Sequence, residues 1–192
     1  MYLKRNNELV VLMLYLSGYN KEFYLREISR MTAIPLKNVQ TTLKSLEQRR
    51  ILKSAVRGKN KYFRLNLDNI QTKFYLLQAE IYKTLLFLEK YPPFKTFLKK
   101  DFAQTPILVF GSFAKFTANE DSDVDVLIIS KEEGKLPAHL LPYKIHEIRI
   151  SEASFRTAAE GKEALISEIE TNHIILNNHS FYVNLMWSHY GT

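Results

Sequence analysis

Two apolar runs constrain the fold of this chain more than any other sequence feature. The first run is Ile107–Phe110, and the pair Gly111-Ser112 follows it directly. The second run begins at Val124, and Asp123 and Asp125 alternate with valine at its start. Short apolar runs bounded by turn residues are typical of buried strands. The segment therefore predicts two core strands, with a turn into a short helix between them.

The residues around the turn carry a resemblance to a known family. They form the pattern G-S-F-A-K-x7-D-V-D, in which Ser112 and Asp123 are eleven positions apart. This pattern resembles the nucleotidyltransferase fold shared by DNA polymerase β and the minimal nucleotidyltransferases, which usually has Arg-Gly where this chain has Lys115-Phe116. The resemblance implies a polymerase-β-like domain with a small mixed sheet flanked by helices. It also implies transfer of a nucleoside monophosphate from a magnesium-bound triphosphate to an acceptor hydroxyl.

The two aspartates have the spacing of metal ligands. They are two residues apart on a predicted strand, so their side chains leave the same face with Cα atoms roughly 6.6 Å apart. Two Mg²⁺ ions, typically about 3.5–4 Å apart in such sites, would then activate the acceptor and neutralise the leaving pyrophosphate. The residues predicted to hold the triphosphate are Gly111, where the backbone can approach closely, Ser112 at the helix start, and the cation Lys115.

The resemblance also implies a third carboxylate on a later strand. The candidate strand is Tyr143–Ile150, and Glu147 is its only carboxylate. We predict that Glu147 completes the catalytic set with Asp123 and Asp125. The alternative is a surface glutamate paired with Arg149, in which case the resemblance implies nucleotide binding without transfer.

Charge is divided unevenly along the chain. Residues 1–100 carry 20 Lys and Arg against 7 Asp and Glu, a net charge of +13, whereas residues 101–192 carry 7 against 13, a net charge of −6. A basic half favours contact with a polyanion. We therefore expect two domains with different tasks.

The basic half contains the patterns of three helices followed by a hairpin. The helices are predicted at 8–17, 24–31 and 36–49, and the strands at 51–56 and 61–65. This order, and the segment LREISRMTAIPLKNVQTTLKSLEQRRILK, resemble the winged helix-turn-helix regulators over about residues 5–67. The resemblance implies double-stranded DNA as a partner and a role in transcription regulation. The alternative is a protein-interaction module whose charges are only solvated.

The third helix and the hairpin supply the predicted DNA contacts. The helix would offer a polar face to the major groove, and the hairpin, as a wing, would meet phosphates. If about six phosphates are neutralised, log affinity falls with log salt at a slope near −5. The residues predicted to contact DNA are Lys37, Asn38, Gln40, Thr41, Lys44, Arg57, Lys59 and Lys61.

A long helix is predicted to connect the halves. Apolar residues recur three or four apart from Ile70 to Tyr91, before Pro92-Pro93. This stripe would pack on the chain's own domains or pair with a second copy, and we expect a homodimer. Its members are Ile70, Phe74, Leu77, Ile81, Leu85 and Leu88.

The predicted organisation is an α+β chain in three parts. Residues 1–68 form the winged helix-turn-helix, 69–92 the connecting helix, and 93–192 the nucleotidyltransferase-like domain. After the last predicted strand, helices are expected at 154–159, 162–176 and 181–187, where they would cover the sheet.

The composition excludes several classes of site and partner. The chain has no cysteine, which excludes a disulfide framework, a thiol nucleophile and a thiolate zinc site. No segment approaches the roughly 20 apolar residues of a membrane-spanning helix, so we expect no membrane partner and a cytoplasmic protein. Two functions remain open: a DNA-binding nucleotidyltransferase that modifies a protein, an RNA or a small molecule, and a regulator whose second domain only senses nucleotide or serves as a scaffold.

Overall fold

The computed structural model describes residues 5–132, 134–161 and 163–191. They divide into two compact units, one of residues 5–80 with 183–191 and one of residues 81–182. Helix α4 (Ile70–Lys90) contributes to both units. No helix in these ranges is long and apolar enough to cross a membrane.

Residues 5–69 of the first unit form three helices and a three-stranded antiparallel sheet. The helices are α1 (Asn7–Met13), which continues as a 3-10 turn over Leu14–Ser17, α2 (Leu25–Thr32) and α3 (Leu36–Gln48). The strands are β1 (Glu22–Tyr24), β2 (Leu52–Arg57) and β3 (Asn60–Leu65), in the order β1-β3-β2. The predicted helices and hairpin are confirmed to within a few residues. Strand β1 was not predicted, because it depends on pairing with β3, 38 positions further along the chain.

Local sequence explains the ends of these elements. The Asn6 side chain accepts hydrogen bonds from the backbone amides of Glu8 and Leu9, which caps α1. Gly18 ends the 3-10 turn with a φ of +142°. Ala33 adopts the left-handed conformation after α2, and Pro35 precedes α3.

The second unit is built on a mixed four-stranded sheet. Its strands are β4 (Ile107–Phe110), β5 (Val124–Ile129), β6 (Ile145–Ile150) and β7 (Ile174–Asn177), in the order β6-β5-β4-β7. Only the β5–β6 pair is parallel. The helices are α5 (Pro93–Phe97), α6 (Gly111–Ala114), α7 (Glu152–Glu160) and α8 (Ala164–Thr171), with a 3-10 turn at Ala138–Leu140. The last helix, α9 (His179–Tyr190), begins in this unit, and its residues from 183 onward belong to the first unit. This arrangement confirms the predicted small mixed sheet flanked by helices.

The sheet of the second unit is buried on both faces. On one face, Val109, Val126 and Ile174 belong to a cluster with aromatic residues of α4, α5 and α6. Leu108 and Leu127 alternate with them and are also fully buried.

The predicted helix at 162–176 is wrong over its last residues. Lys162 lies outside the described residues, and α8 ends at Thr171. Ile174 and Ile175 instead pair antiparallel with β4. Two consecutive β-branched residues favour a strand when an unpaired neighbour is available, and helical periodicity over so short a run cannot exclude it.

Candidate functional site

The Gly-Ser turn and the aspartate strand meet at one point of the second unit. Strand β4 pairs antiparallel with β5, and this register sets Asp125 directly opposite Phe110. Gly111 follows Phe110 and begins α6. The pairing of the end of β4 with the start of β5 therefore brings Gly111 beside Asp125.

Gly111 cannot be replaced by another residue without moving Asp125. Its φ is +68°, in the left-handed region that favours glycine. A Cβ added here would lie 3.3 Å from Cγ of Asp125 and would overlap its Oδ2. The glycine thus leaves the space that the Asp125 carboxylate occupies.

Phe116, which stands where the family pattern has glycine, takes a left-handed backbone conformation that favours glycine. Its φ is +59°. Its ring lies 6.3 Å from the ring of Phe87 and 6.4 Å from that of Tyr91, and Lys90 donates a hydrogen bond to its carbonyl oxygen. These contacts oppose a left-handed strain of about 1–2 kcal/mol. The chain keeps a left-handed turn after α6 without a glycine.

The other two predicted phosphate-binding residues lie in or directly after α6. The carbonyl oxygen of Ser112 accepts from the backbone amide of Thr117 at 3.0 Å, which fixes the turn. Lys115 is about 43% exposed and forms an ion pair of 2.8 Å with Glu168 of α8. Lys115 is therefore held by α8 rather than left without a partner.

Strand β6 does not bring Glu147 to the aspartates. In the parallel register, Asp125 pairs with His146, whereas Glu147 pairs with Val126. Register partners share a face of the sheet, so Glu147 lies on the face opposite to Asp125. Glu147 instead accepts from Arg149 at 2.7 Å, and Arg149 also donates to the carbonyl oxygens of Glu132 and Gly134. The structure thus agrees with the alternative of a glutamate paired with Arg149.

Two basic residues of this segment occupy the aspartate face. Nδ1 of His146 lies 3.2 Å from Oδ1 of Asp125, and Nζ of Lys144 lies 3.5 Å from Oδ2 of Asp123. Neither residue was predicted to belong to the site. Alternation in the sequence groups Lys144 with His146 on one face and Glu147 with Arg149 on the other, but the register of β6 decides which face meets the aspartates.

The donor groups fit one magnesium ion shared with phosphates. The side chains of Asp123 and Asp125 are 47% and 30% exposed, so a bound group can reach both. Magnesium is commonly held by one or two carboxylates, with phosphate oxygens and water in its other positions. Among residues 5–132, 134–161 and 163–191, no group of three or more His, Asp or Glu side chains is arranged to hold a metal.

The predicted DNA contacts of α3 form one exposed face in the first unit. Val39, Leu43 and Leu46 are buried on the other side of this helix. The hairpin ends in a turn at Gly58 and Lys59, both exposed. The exposed polar residues of the α3 face are Lys37, Asn38, Gln40, Thr41 and Lys44.

Two of the predicted hairpin contacts are already paired within the chain. Arg57 forms an ion pair with Glu22 of β1, and Lys61 forms one of 2.9 Å with Glu47 of α3. A hydrogen bond from the Ser54 hydroxyl, and then one from Lys61, hold the pKa of Glu47 below its usual range. DNA phosphates would compete with these carboxylates for Arg57 and Lys61, but not for Lys37 or Lys44, for which no ion pair is seen among the described residues.

Comparison with known proteins identifies the second half of the chain. No curated protein and no solved structure matches the chain significantly. Residues 93–177, which include strands β4 to β7, match the family model of the nucleotidyltransferase domain. This match supports the resemblance carried by the Gly-Ser turn and the two aspartates, and it indicates a nucleotidyltransferase domain at residues 93–177.

Proposed function

We propose that the second unit binds a magnesium nucleoside triphosphate and transfers its nucleoside monophosphate to an acceptor hydroxyl. The observation that carries this proposal is the meeting of Gly111 and Asp125, where a Cβ would overlap the carboxylate. Strand pairing alone does not require so close an approach between a turn and an acidic side chain. A phosphate-binding turn next to a metal-binding carboxylate would account for it.

Each residue has a role that follows from its position. Asp123 and Asp125 would hold the ion, which would supply charge neutralisation for the triphosphate and its leaving pyrophosphate. Gly111 leaves room for the Asp125 carboxylate directly beside the turn, and Ser112 offers its hydroxyl at the first turn of α6. Lys115 reaches the triphosphate only by releasing Glu168, an exchange that costs little for an ion pair this exposed.

A second candidate function is nucleotide sensing without transfer. The register of β6 favours it, because His146 rather than Glu147 lies beside Asp125. A histidine and a lysine on this face add no carboxylate for an ion at the acceptor hydroxyl. In this case the triphosphate would act as a signal to the rest of the chain.

We also propose that the first unit is a winged helix-turn-helix that binds double-stranded DNA. The exposed polar face of α3 and the basic hairpin support this proposal. A major-groove helix needs side chains such as Asn38, Gln40 and Lys44, whose donors and acceptors match base edges. Both candidate functions then describe a DNA-binding protein, and they differ only in whether transfer occurs.

Transfer is tested with α-labelled nucleoside triphosphates and magnesium, in an extract that contains protein and RNA acceptors. The compared proteins are the full chain, Asp125→Asn, and Asp121→Asn as a control. Asp121 is exposed, lies four residues before Asp125, and is outside the proposed set. We expect label in macromolecules with the full chain and Asp121→Asn, and at least a hundredfold less with Asp125→Asn. Equal labelling by all three proteins would contradict the proposal, and triphosphate binding without labelling would favour the sensor.

A further inference from the structure

Three neighbouring strands of the second unit place three residues side by side on the aspartate face. In the strand order β6-β5-β4, the register sets His146 on one side of Asp125 and Phe110 on the other. Gly111 follows Phe110 directly and begins α6. The Asp125 carboxylate therefore lies between the His146 ring and the Gly-Ser turn.

The two oxygens of this carboxylate have different neighbours. Oδ2 is the atom that a Cβ on Gly111 would overlap, so it faces the Gly-Ser turn. Oδ1 lies 3.2 Å from Nδ1 of His146. A carboxylate oxygen only accepts hydrogen bonds, so the imidazole donates through Nδ1 in this contact. The histidine thus holds the oxygen that does not face the turn.

This hydrogen bond restricts the rotation of the Asp125 side chain. The side chain is 30% exposed, and within the described part of the chain no other hydrogen bond to its carboxylate is seen. Without the imidazole, the carboxylate would be free to adopt other rotamers and to leave the turn. The backbone of His146 is itself fixed relative to Asp125, because β6 pairs with β5 over six residues.

Lys144 has no equivalent hold on Asp123. Its Nζ lies 3.5 Å from Oδ2 of Asp123, at the limit of a hydrogen bond, and its side chain is 82% exposed. Ordering a lysine side chain carries one of the largest entropy costs of any residue, and exposed ion pairs contribute little. Of the two basic residues on this face, His146 is therefore the one that fixes an aspartate.

We propose that His146 is a positioning residue of the triphosphate site, which holds Oδ1 of Asp125 so that Oδ2 stays beside the Gly-Ser turn and available to magnesium. This role rests on the proposed function, because it serves the binding of a magnesium triphosphate. A carboxylate that binds an ion through one oxygen keeps the other oxygen for a hydrogen bond. Such outer partners orient the ligand, and their loss typically lowers metal affinity about 10–100-fold.

Calorimetric titration with a magnesium-bound, non-hydrolysable triphosphate tests this role in the full chain and its variants. His146→Leu and His146→Ala remove the donor, whereas His146→Asn keeps a donor attached to Cγ, as Nδ1 is. The His146 side chain is 64% exposed, so these replacements leave the core unchanged. His139→Leu is the matched control, because His139 is exposed on the 3-10 turn and lies outside the proposed site. Circular dichroism checks that each variant is folded.

A double-mutant cycle shows whether His146 acts through Asp125. It compares Asp125→Ala with the Asp125→Ala/His146→Leu double variant. We expect His146→Leu and His146→Ala to bind at least tenfold more weakly than the full chain, and His146→Asn and His139→Leu to bind within about threefold of it. Without the Asp125 carboxylate, His146→Leu should change the affinity by less than about twofold, because the group that it positions is gone.

Two kinds of failure are distinguishable. If folded His146→Leu and His146→Ala bind like the full chain, the role of His146 is overturned and the proposed function stands. A tenfold loss that persists without the Asp125 carboxylate would also overturn this role, as would an asparagine variant as weak as the leucine variant. No binding by the full chain would overturn the proposed function together with the role of His146.

Discussion

Replacing Gly111 with alanine should damage both stability and triphosphate binding. The left-handed backbone costs a non-glycine residue about 1–2 kcal/mol. Displacing the Asp125 carboxylate adds little to this cost, because the overlapping atom is the end of a partly exposed side chain that can turn away. We therefore expect Gly111→Ala to lower the free energy of unfolding by about 1–2 kcal/mol. Because Asp125 must move, triphosphate affinity should fall at least tenfold.

Gly58→Ala is the matched control for this experiment. Gly58 has a φ of +59°, but no atom lies within 4 Å of an added Cβ. This variant therefore reports left-handed strain alone, about 1–2 kcal/mol, and should bind triphosphate normally. Urea denaturation gives the two free energies, and calorimetric titration with a non-hydrolysable triphosphate gives the affinities. An affinity that Gly111→Ala leaves unchanged, or that both variants lower equally, would refute the reasoning.

Three further outcomes are expected. The free energy of unfolding in urea should be about 1 kcal/mol higher for Phe116→Gly than for Phe116→Ala, because both variants lose the ring but only glycine tolerates the positive φ. The reverse order would contradict the assigned strain. Lys44→Ala should reduce the slope of log affinity for DNA against log salt concentration, measured by fluorescence anisotropy, by about one unit. Arg57→Ala should reduce this slope by less, because Arg57 already forms an ion pair with Glu22. Equal changes in the two variants would count against the interface. Hydrogen bonds, first from the Ser54 hydroxyl, lower the pKa of Glu47 in the folded protein, so the ionised carboxylate stabilises the fold above the ordinary carboxyl pKa, and this stabilisation is lost as pH falls through the lower folded pKa. Glu47→Gln should therefore flatten the pH dependence of the unfolding free energy below about pH 4. An unchanged pH profile would exclude this linkage.

Elements with strong local patterns were predictable from the sequence. Helix α3 was predicted within one residue, because Val39, Leu43 and Leu46 mark its buried face and Pro35 precedes it. The Gly-Ser turn and the aspartate strand were predicted because apolar runs bound them on both sides. In each case the information lies within about 25 consecutive residues.

Elements that depend on distant pairing were not predictable in the same way. Strand β1 has only three residues and exists through its pairing with β3, and β7 through its pairing with β4. The face on which Glu147 lies depends on the register of β6 against β5. A shift of this register by one residue would move Glu147 to the face of Asp125. Local alternation separated Glu147 from His146, but it could not tell which of them lies beside Asp125.

Calorimetric titration of a magnesium-bound, non-hydrolysable triphosphate tests the central claim most directly. The full chain should bind one triphosphate, and the Asp123→Asn/Asp125→Asn double variant should bind at least tenfold more weakly. Glu147→Gln is the matched control, and it should bind like the full chain because Glu147 lies on the opposite face and pairs with Arg149. Loss of binding in Glu147→Gln but not in the double variant, or no binding by the full chain, would contradict the account.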